Sequence, residues 1–230
     1  MTKQSVETPE IEVLGDVAVS RTEKFLAENG RKVVIAIAGA VAVAVAIFGY
    51  KALVLDPAEQ SAAEAIYAAQ GLLDGASPDY QQALDGTADF AGFVEVYENF
   101  GSTASGNLAA HYAGVCYLKL GDYTSAAKYL KAYKPQKSIP AQIVNAQNIG
   151  LQGDIAVELG DYPAAVALFK QASAASDNII TAPMYLRKAG QAAQAAGDNA
   201  DAIALYESVV ELYPAATEAR SAAKLLGTIK

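Results

Sequence analysis

The 230-residue chain has no Trp, one Cys and one His. A lone Cys excludes an intrachain disulfide, and the absence of any Cys/His cluster leaves no ligand set for zinc or an iron–sulfur centre. Basic residues are also scarce: 17 Lys and Arg stand against 25 Asp and Glu, a formal net charge of −8. Binding to a phosphate backbone needs clustered cations, so this balance argues against a nucleic-acid partner. There is no Gly-rich phosphate loop, no G-x-S-x-G element and no paired His. His111 and Cys116 lie five residues apart in one helical stretch. That separation is about 140° around the axis, so the two do not face each other as a nucleophile pair. Cys116 follows Val115 in the apolar pattern and reads as a buried structural thiol. The sequence predicts no enzyme, no cofactor and no metal.

What the chain has in excess is apolar residues, 53% of the total, and the excess has a local cause. Residues 33–50 read VVIAIAGAVAVAVAIFGY, without a charge. As a helix this run covers about 27 Å, against a bilayer core of roughly 30 Å. If Lys51 snorkels, the helix extends to residue 55. Val and Ala alternate within the run, but it is too long for an ordinary strand. It also exceeds the usual signal-peptide core and no small-x-small site follows it, so an uncleaved anchor is expected. Arg21, Lys24, Arg31 and Lys32 precede it, whereas after Lys51 the next basic residue is Lys119. The positive-inside rule then puts the N-terminus in the cytoplasm and residues 56–230 outside. Ala36, Ala40 and Ala44 form one ridge of small residues, and Ala38, Ala42 and Ala46 form another on nearly the opposite side. Such ridges let helices approach closely in lipid, though a plain Ala/Val anchor produces them equally well.

Residues 1–20 are polar and acidic without a clear period, which predicts disorder. Ser20-Arg21-Thr22-Glu23 is a capping-box pattern for a short helix, and Asn29-Gly30 is its expected stop. The predicted organisation is a leader over 1–32, a transmembrane helix over 33–55 and an extracytoplasmic domain over 56–230.

Three segments of that domain share one layout. A Gly-Asp turn (Gly121, Gly160, Gly197) follows a first helix that carries a Gly seven residues earlier (Gly114, Gly153, Gly190). A small residue comes five positions after the turn (Ala126, Ala165, Ala202), and a larger one four further on (Leu130, Phe169, Tyr206). This looks like the tetratricopeptide repeat: helix A with a small residue at a close crossing, a turn, then helix B with small and aromatic core positions. The turns are 39 and 37 residues apart, longer than the usual period of about 34. The surplus falls in the inter-repeat loops, residues 134–142 and 175–181, and the usual aromatic early in helix A is missing. Pro163 fits just inside the second helix B and Pro214 just after the third. Residues 57–106 are expected to form a degenerate helical pair: one helix from Pro57 to near Gly75, the other carrying Phe90, Phe93, Val94 and Tyr97 on one face. A capping helix is expected over 217–228. The fold class is all-α, an N-terminal transmembrane helix followed by a tetratricopeptide-repeat α-solenoid.

The heptapeptide Phe25-Leu26-Ala27-Glu28-Asn29-Gly30-Arg31 directly before the apolar run resembles the YfgM family. These are single-span bacterial proteins with a short cytoplasmic leader and a periplasmic tetratricopeptide-repeat domain. Similarity at residue level is confined to the leader and span; the rest is shared in organisation. The resemblance implies an inner-membrane protein ancillary to the SecYEG translocon and associated with the membrane-anchored periplasmic chaperone PpiD.

A repeat stack binds through the inward face of its A helices. The alignment places Leu108, His111, Val115, Leu118 and Lys119 there in the first repeat. Gln147, Asp154, Val157 and Glu158 follow in the second, and Met184, Arg187, Gln191 and Gln194 in the third. Apolar residues first and polar ones later suit an extended or unfolded polypeptide, although a groove filled by the protein's own terminal helix fits as well. His111 is expected to touch a ligand or solvent. Charge is also divided: residues 52–118 hold nine acidic side chains and no Lys or Arg, whereas 119–137 hold five Lys against Asp122. Lys128, Lys131 and Lys134 are spaced to share one helix face. A solvated face explains either block; the functional alternative is that the acidic, membrane-proximal block contacts a basic partner and is repelled by anionic lipid headgroups.

Overall fold

The computed structural model describes residues 11–229, and they are all-α; the only β contact among them is an isolated bridge between Gly86 and Ala91. The chain divides into two units, one ending at Pro57 and one beginning at Ala58.

The first unit is dominated by a single helix, α1 (Ile11–Tyr50). It is continuous where a capping box and an Asn-Gly stop were expected. Gly30 is not among the glycines with positive φ, so it makes no left-handed terminator. The Asn29 amide instead donates to the Phe25 carbonyl at 3.3 Å, one turn back, and stays inside the helix. The disorder expected for residues 1–10 lies outside the described residues; from Ile11 onward the backbone is helical. Large side chains of the apolar run stand exposed, including Val34, Val41, Ile47 and Phe48. A π-helical turn, Lys51–Leu55, follows, with the Asp56 N–H donating to the Lys51 carbonyl. Pro57 accounts for the widening: its ring collides with the carbonyl four residues earlier, and the wider turn makes room.

The second unit begins in α2 (Asp56–Gly71), which buries Ala62, Ile66 and Ala69. Two short helices follow, α3 (Tyr80–Asp85) and α4 (Phe93–Phe100). The sequence pattern did not foresee α3. Phe93 and Val96 are fully buried against Leu84, Ala109 and Cys116, so this region closes one end of the stack.

Three helix pairs then repeat. They are α5 (Ala104–Lys119) with α6 (Tyr123–Ala132), α7 (Ile139–Glu158) with α8 (Tyr162–Ala175), and α9 (Thr181–Ala195) with α10 (Asn199–Leu212). Helix α11 (Thr217–Ile229) packs on α10 and buries Ala219 and Ala222. Each Gly-Asp pair serves two helices at once. Gly121, Gly160 and Gly197 have φ of +80°, +75° and +82°, the left-handed conformation that closes a helix at low cost only for Gly. The next N–H bonds back to the preceding helix: Asp122 to Tyr117, Asp161 to Ala156 and Asp198 to Ala193. The same Asp side chains accept from the N–H groups of Ser125, Ala164 and Asp201 and so cap the B helices. Such a cap contributes about 1 kcal/mol.

The Gly residues one turn of pattern earlier mark the close crossings. A Cβ at Gly114 would lie 2.5 Å from Leu130, at Gly153 2.7 Å from Phe169, and at Gly190 2.4 Å from Tyr206. The spacing marked these glycines and these larger residues as repeat positions, and the structure pairs them across each crossing. Gly150 plays the same part against Tyr185, between consecutive A helices. Lys134 departs from expectation: α6 ends at Ala132, so Lys134 stands in the loop and not on a helix face with Lys128 and Lys131.

Candidate partner-binding face

The expected inward residues separate by chemistry. Leu108 packs against the cluster around Phe93, and Leu118 against the Ala126–Leu130–Ile155 cluster. Val115 is half-buried. Val157 and Met184 pack on the core of the last two repeats. The apolar character expected of the first-repeat face is therefore largely spent on the protein's own interior.

His111 is a correction. Its ring is 2% exposed, because α7 and the end of α6 cover it. Tyr133 and Tyr112 lie 5.8 and 5.6 Å from it, centroid to centroid. Asn148 completes the site, its amide nitrogen 3.3 Å from His111 Nδ1. Gln152 donates to Asn148 Oδ1 at 3.0 Å, which turns the Asn148 amide group toward the ring as a donor. Burial pushes the imidazole down to about 4 from 6.5, against a weaker opposing hydrogen bond with Gln147. His111 is a neutral core residue and meets no ligand from solvent. Cys116 is also buried, and burial pushes its thiol up to about 12, as suits a structural role.

The polar positions remain at the surface. Lys119, Gln147, Glu158 and Gln191 are exposed. Glu158 accepts from the Tyr123 hydroxyl at 3.0 Å. Arg187 Nη1 donates to Gln191 Oε1 at 2.8 Å, and Gln194 accepts from the Tyr206 hydroxyl at 3.4 Å. Asp154 pairs with Lys188 at 2.8 Å, joining α7 to α9. The Lys188 ammonium also stands 5.5 Å from the centre of the Phe169 ring. Lys188 was missed because the repeat alignment turns it away from the inward face; its spacing from Asp154 carries no signal. Both partners are about one-third exposed, so the pair adds little stability. A pocket of about 200 Å³ opens beside it, reached by Asp154, Lys188 and Gln191.

A second, more apolar cleft of about 290 Å³ lies where the first repeat meets the second. Asn107, Leu108, Tyr133, Ala141 and Val144 line it. It exists because the loop after α6 is long, and hydrogen bonds hold that loop open. Asn107 donates to the Lys134 carbonyl at 2.9 Å and accepts from the Lys134 N–H at 2.7 Å. Asn145 accepts from the Tyr133 hydroxyl at 2.8 Å and exchanges two bonds with the Gln136 backbone. Only Leu108 of this cleft was expected at a binding face. The pinning Asn residues gave no sequence signal, since their partners are backbone groups of a loop.

Models of the tetratricopeptide repeat match residues 151–217 and 109–134. Comparison of the sequence with curated proteins gives no match. The repeat region is thus of the tetratricopeptide type, a scaffold for protein–protein interaction. It follows an N-terminal helix long and apolar enough to cross a membrane.

Proposed function

We propose that this is a non-catalytic, membrane-anchored adaptor, accessory to the Sec translocon, that links it to periplasmic chaperones and emerging clients. The observation that carries the reading is one chain joining a fully exposed apolar helix to a repeat domain whose A helices keep polar groups at the surface. A helix with that much exposed apolar surface needs lipid or other helices around it. The flanking charges support an N-terminus in the cytoplasm and a repeat domain outside it; the inner membrane and the periplasm are what the resemblance to the YfgM family implies. The translocon and a PpiD-like chaperone are named on the resemblance of the leader and span to the YfgM family. In this reading the Ala36/Ala40/Ala44 or Ala38/Ala42/Ala46 ridge packs on partner helices. Lys119, Gln147, Asp154, Glu158, Arg187, Gln191 and Gln194 form the contact surface of the domain.

The test is brief in-cell crosslinking, mild solubilisation and purification through a C-terminal tag. Recovery of translocon subunits with a membrane-anchored periplasmic isomerase supports the reading. Enrichment of envelope-assembly components, with translocon proteins at background, replaces it with a cell-envelope scaffold.

A further inference from the structure

The end of the repeat domain where the A helices begin differs chemically from the end that holds the Gly-Asp turns. At the first, α7 opens with Ile139 and Ile143, 81% and 58% exposed. They are four residues apart and so share a helix face. The loop leading into them carries Lys134 and Lys137, both exposed, and no acidic residue. The apolar cleft beside Leu108 opens among the same residues. Glu98 of α4 shares a surface hollow with Lys134, which leaves Lys137 the less compensated of the two. Two exposed isoleucines, an apolar cleft and basic side chains form a surface suited to a lipid headgroup layer of negative charge.

The first turn of α5, beside this cleft, is held by Glu59. The Glu59 carboxylate accepts from the Ala104 N–H at 2.6 Å, from the Ser105 N–H at 3.1 Å and from the Ser105 hydroxyl at 2.5 Å. Glu59 comes four residues after Leu55, the last residue of the apolar segment. Ala104, whose N–H Glu59 holds, lines the same cleft as Ala141. The third repeat lacks this combination. Ile179 and Ile180 are exposed there too, but Asp177 precedes them and no Lys or Arg lies between residues 171 and 186.

We propose that the start of α7, with Lys134 and Lys137, rests on the surface of an anionic bilayer and holds the repeat domain against the membrane. The proposal rests on the reading of residues 33–55 as a membrane span, and one set of variants tests both. The chain has no Trp, so a single introduced Trp reports alone. Full-length Ile139→Trp, Ile143→Trp, Ile47→Trp and Leu159→Trp are reconstituted in vesicles of phosphatidylcholine and phosphatidylglycerol, with or without bromine on the acyl chains. Ile47 reports the span. Leu159 follows the last residue of α7, about 30 Å from Ile139 along the helix.

The expected result is at least twofold quenching by brominated lipid at residues 47, 139 and 143, with residue 159 unchanged. Quenching at 139 and 143 should fall by half or more in the Lys134→Glu/Lys137→Glu background, or when phosphatidylglycerol is omitted. Quenching at 47 alone overturns the bilayer contact and leaves the span standing. Equal quenching at 139 and 159 also overturns it, as unspecific adsorption. No quenching at 47 overturns the span itself.

Discussion

Mild acid should destabilise the repeat domain through His111. The folded protein holds the ring neutral, with a pKa of about 4, whereas the unfolded chain takes up the proton at 6.5. Because the unfolded state binds more protons in that window, stability falls as pH drops. The contribution of the neutral ring is complete above 6.5, declines as pH drops below that value and levels off below about 4. At 1.4 kcal/mol per pH unit, the full gap corresponds to about 3 kcal/mol. About 2 kcal/mol of this should be lost between pH 7 and pH 5. The assay is urea unfolding of the detergent-solubilised chain, followed by circular dichroism, at pH 7, 6 and 5. His111→Gln removes the titrating group and keeps an amide able to meet Asn148. Carboxylates contribute equally to both proteins, so the difference between them isolates the histidine. Stability of the parent should fall by about 2 kcal/mol more than that of the variant between pH 7 and 5. Parallel pH profiles would refute the reasoning, since they would mean the ring is already charged or reaches water in the folded state.

Three further outcomes follow from the packing. Gly190→Ala should cost about 1–3 kcal/mol, because its Cβ meets the buried Tyr206 ring and overpacking outweighs the gain in helix propensity; Tyr206→Leu should recover part of that cost in a double-mutant cycle read by urea unfolding. Cys116 should react with a thiol reagent at least a hundredfold more slowly in the native protein than in urea, as its burial and its raised pKa both suppress the thiolate. Glu59→Gln should cost about 1 kcal/mol. Its effect should be confined to faster amide exchange at Ala104 and Ser105, the groups that donate to it.

The repeats were legible because one physical requirement recurs at fixed spacing. A helix that must stop needs a left-handed residue, the next helix needs a cap, and Gly-Asp supplies both three times. Gly114, Gly153 and Gly190 were equally readable, since a close crossing demands the absence of a side chain. Other features depend on partners distant in sequence. His111 sits on a face that the pattern assigns to the groove, but α7 covers it, and no property of residues 104–119 announces that. Lys134 fits a helical spacing, yet α6 has already ended. Asn29-Gly30 has the composition of a stop, but nothing there requires a left-handed backbone, and the helix runs on. Helix α3 is six residues long, too short for a periodic signal. The cleft was not legible, because it is shaped by Asn107 and Asn145 holding a loop.

The crossing contacts also constrain how such a chain can change over generations. Gly114 faces a leucine, Gly153 a phenylalanine and Gly190 a tyrosine, so the same joint has a different fitting in each of the three repeats. Exchange of a helix between repeats would set a ring where a smaller side chain had been accommodated. Successful replacements at these joints should therefore arrive as matched pairs, and domain shuffling should succeed when the cut falls between repeats and fail when it falls within one.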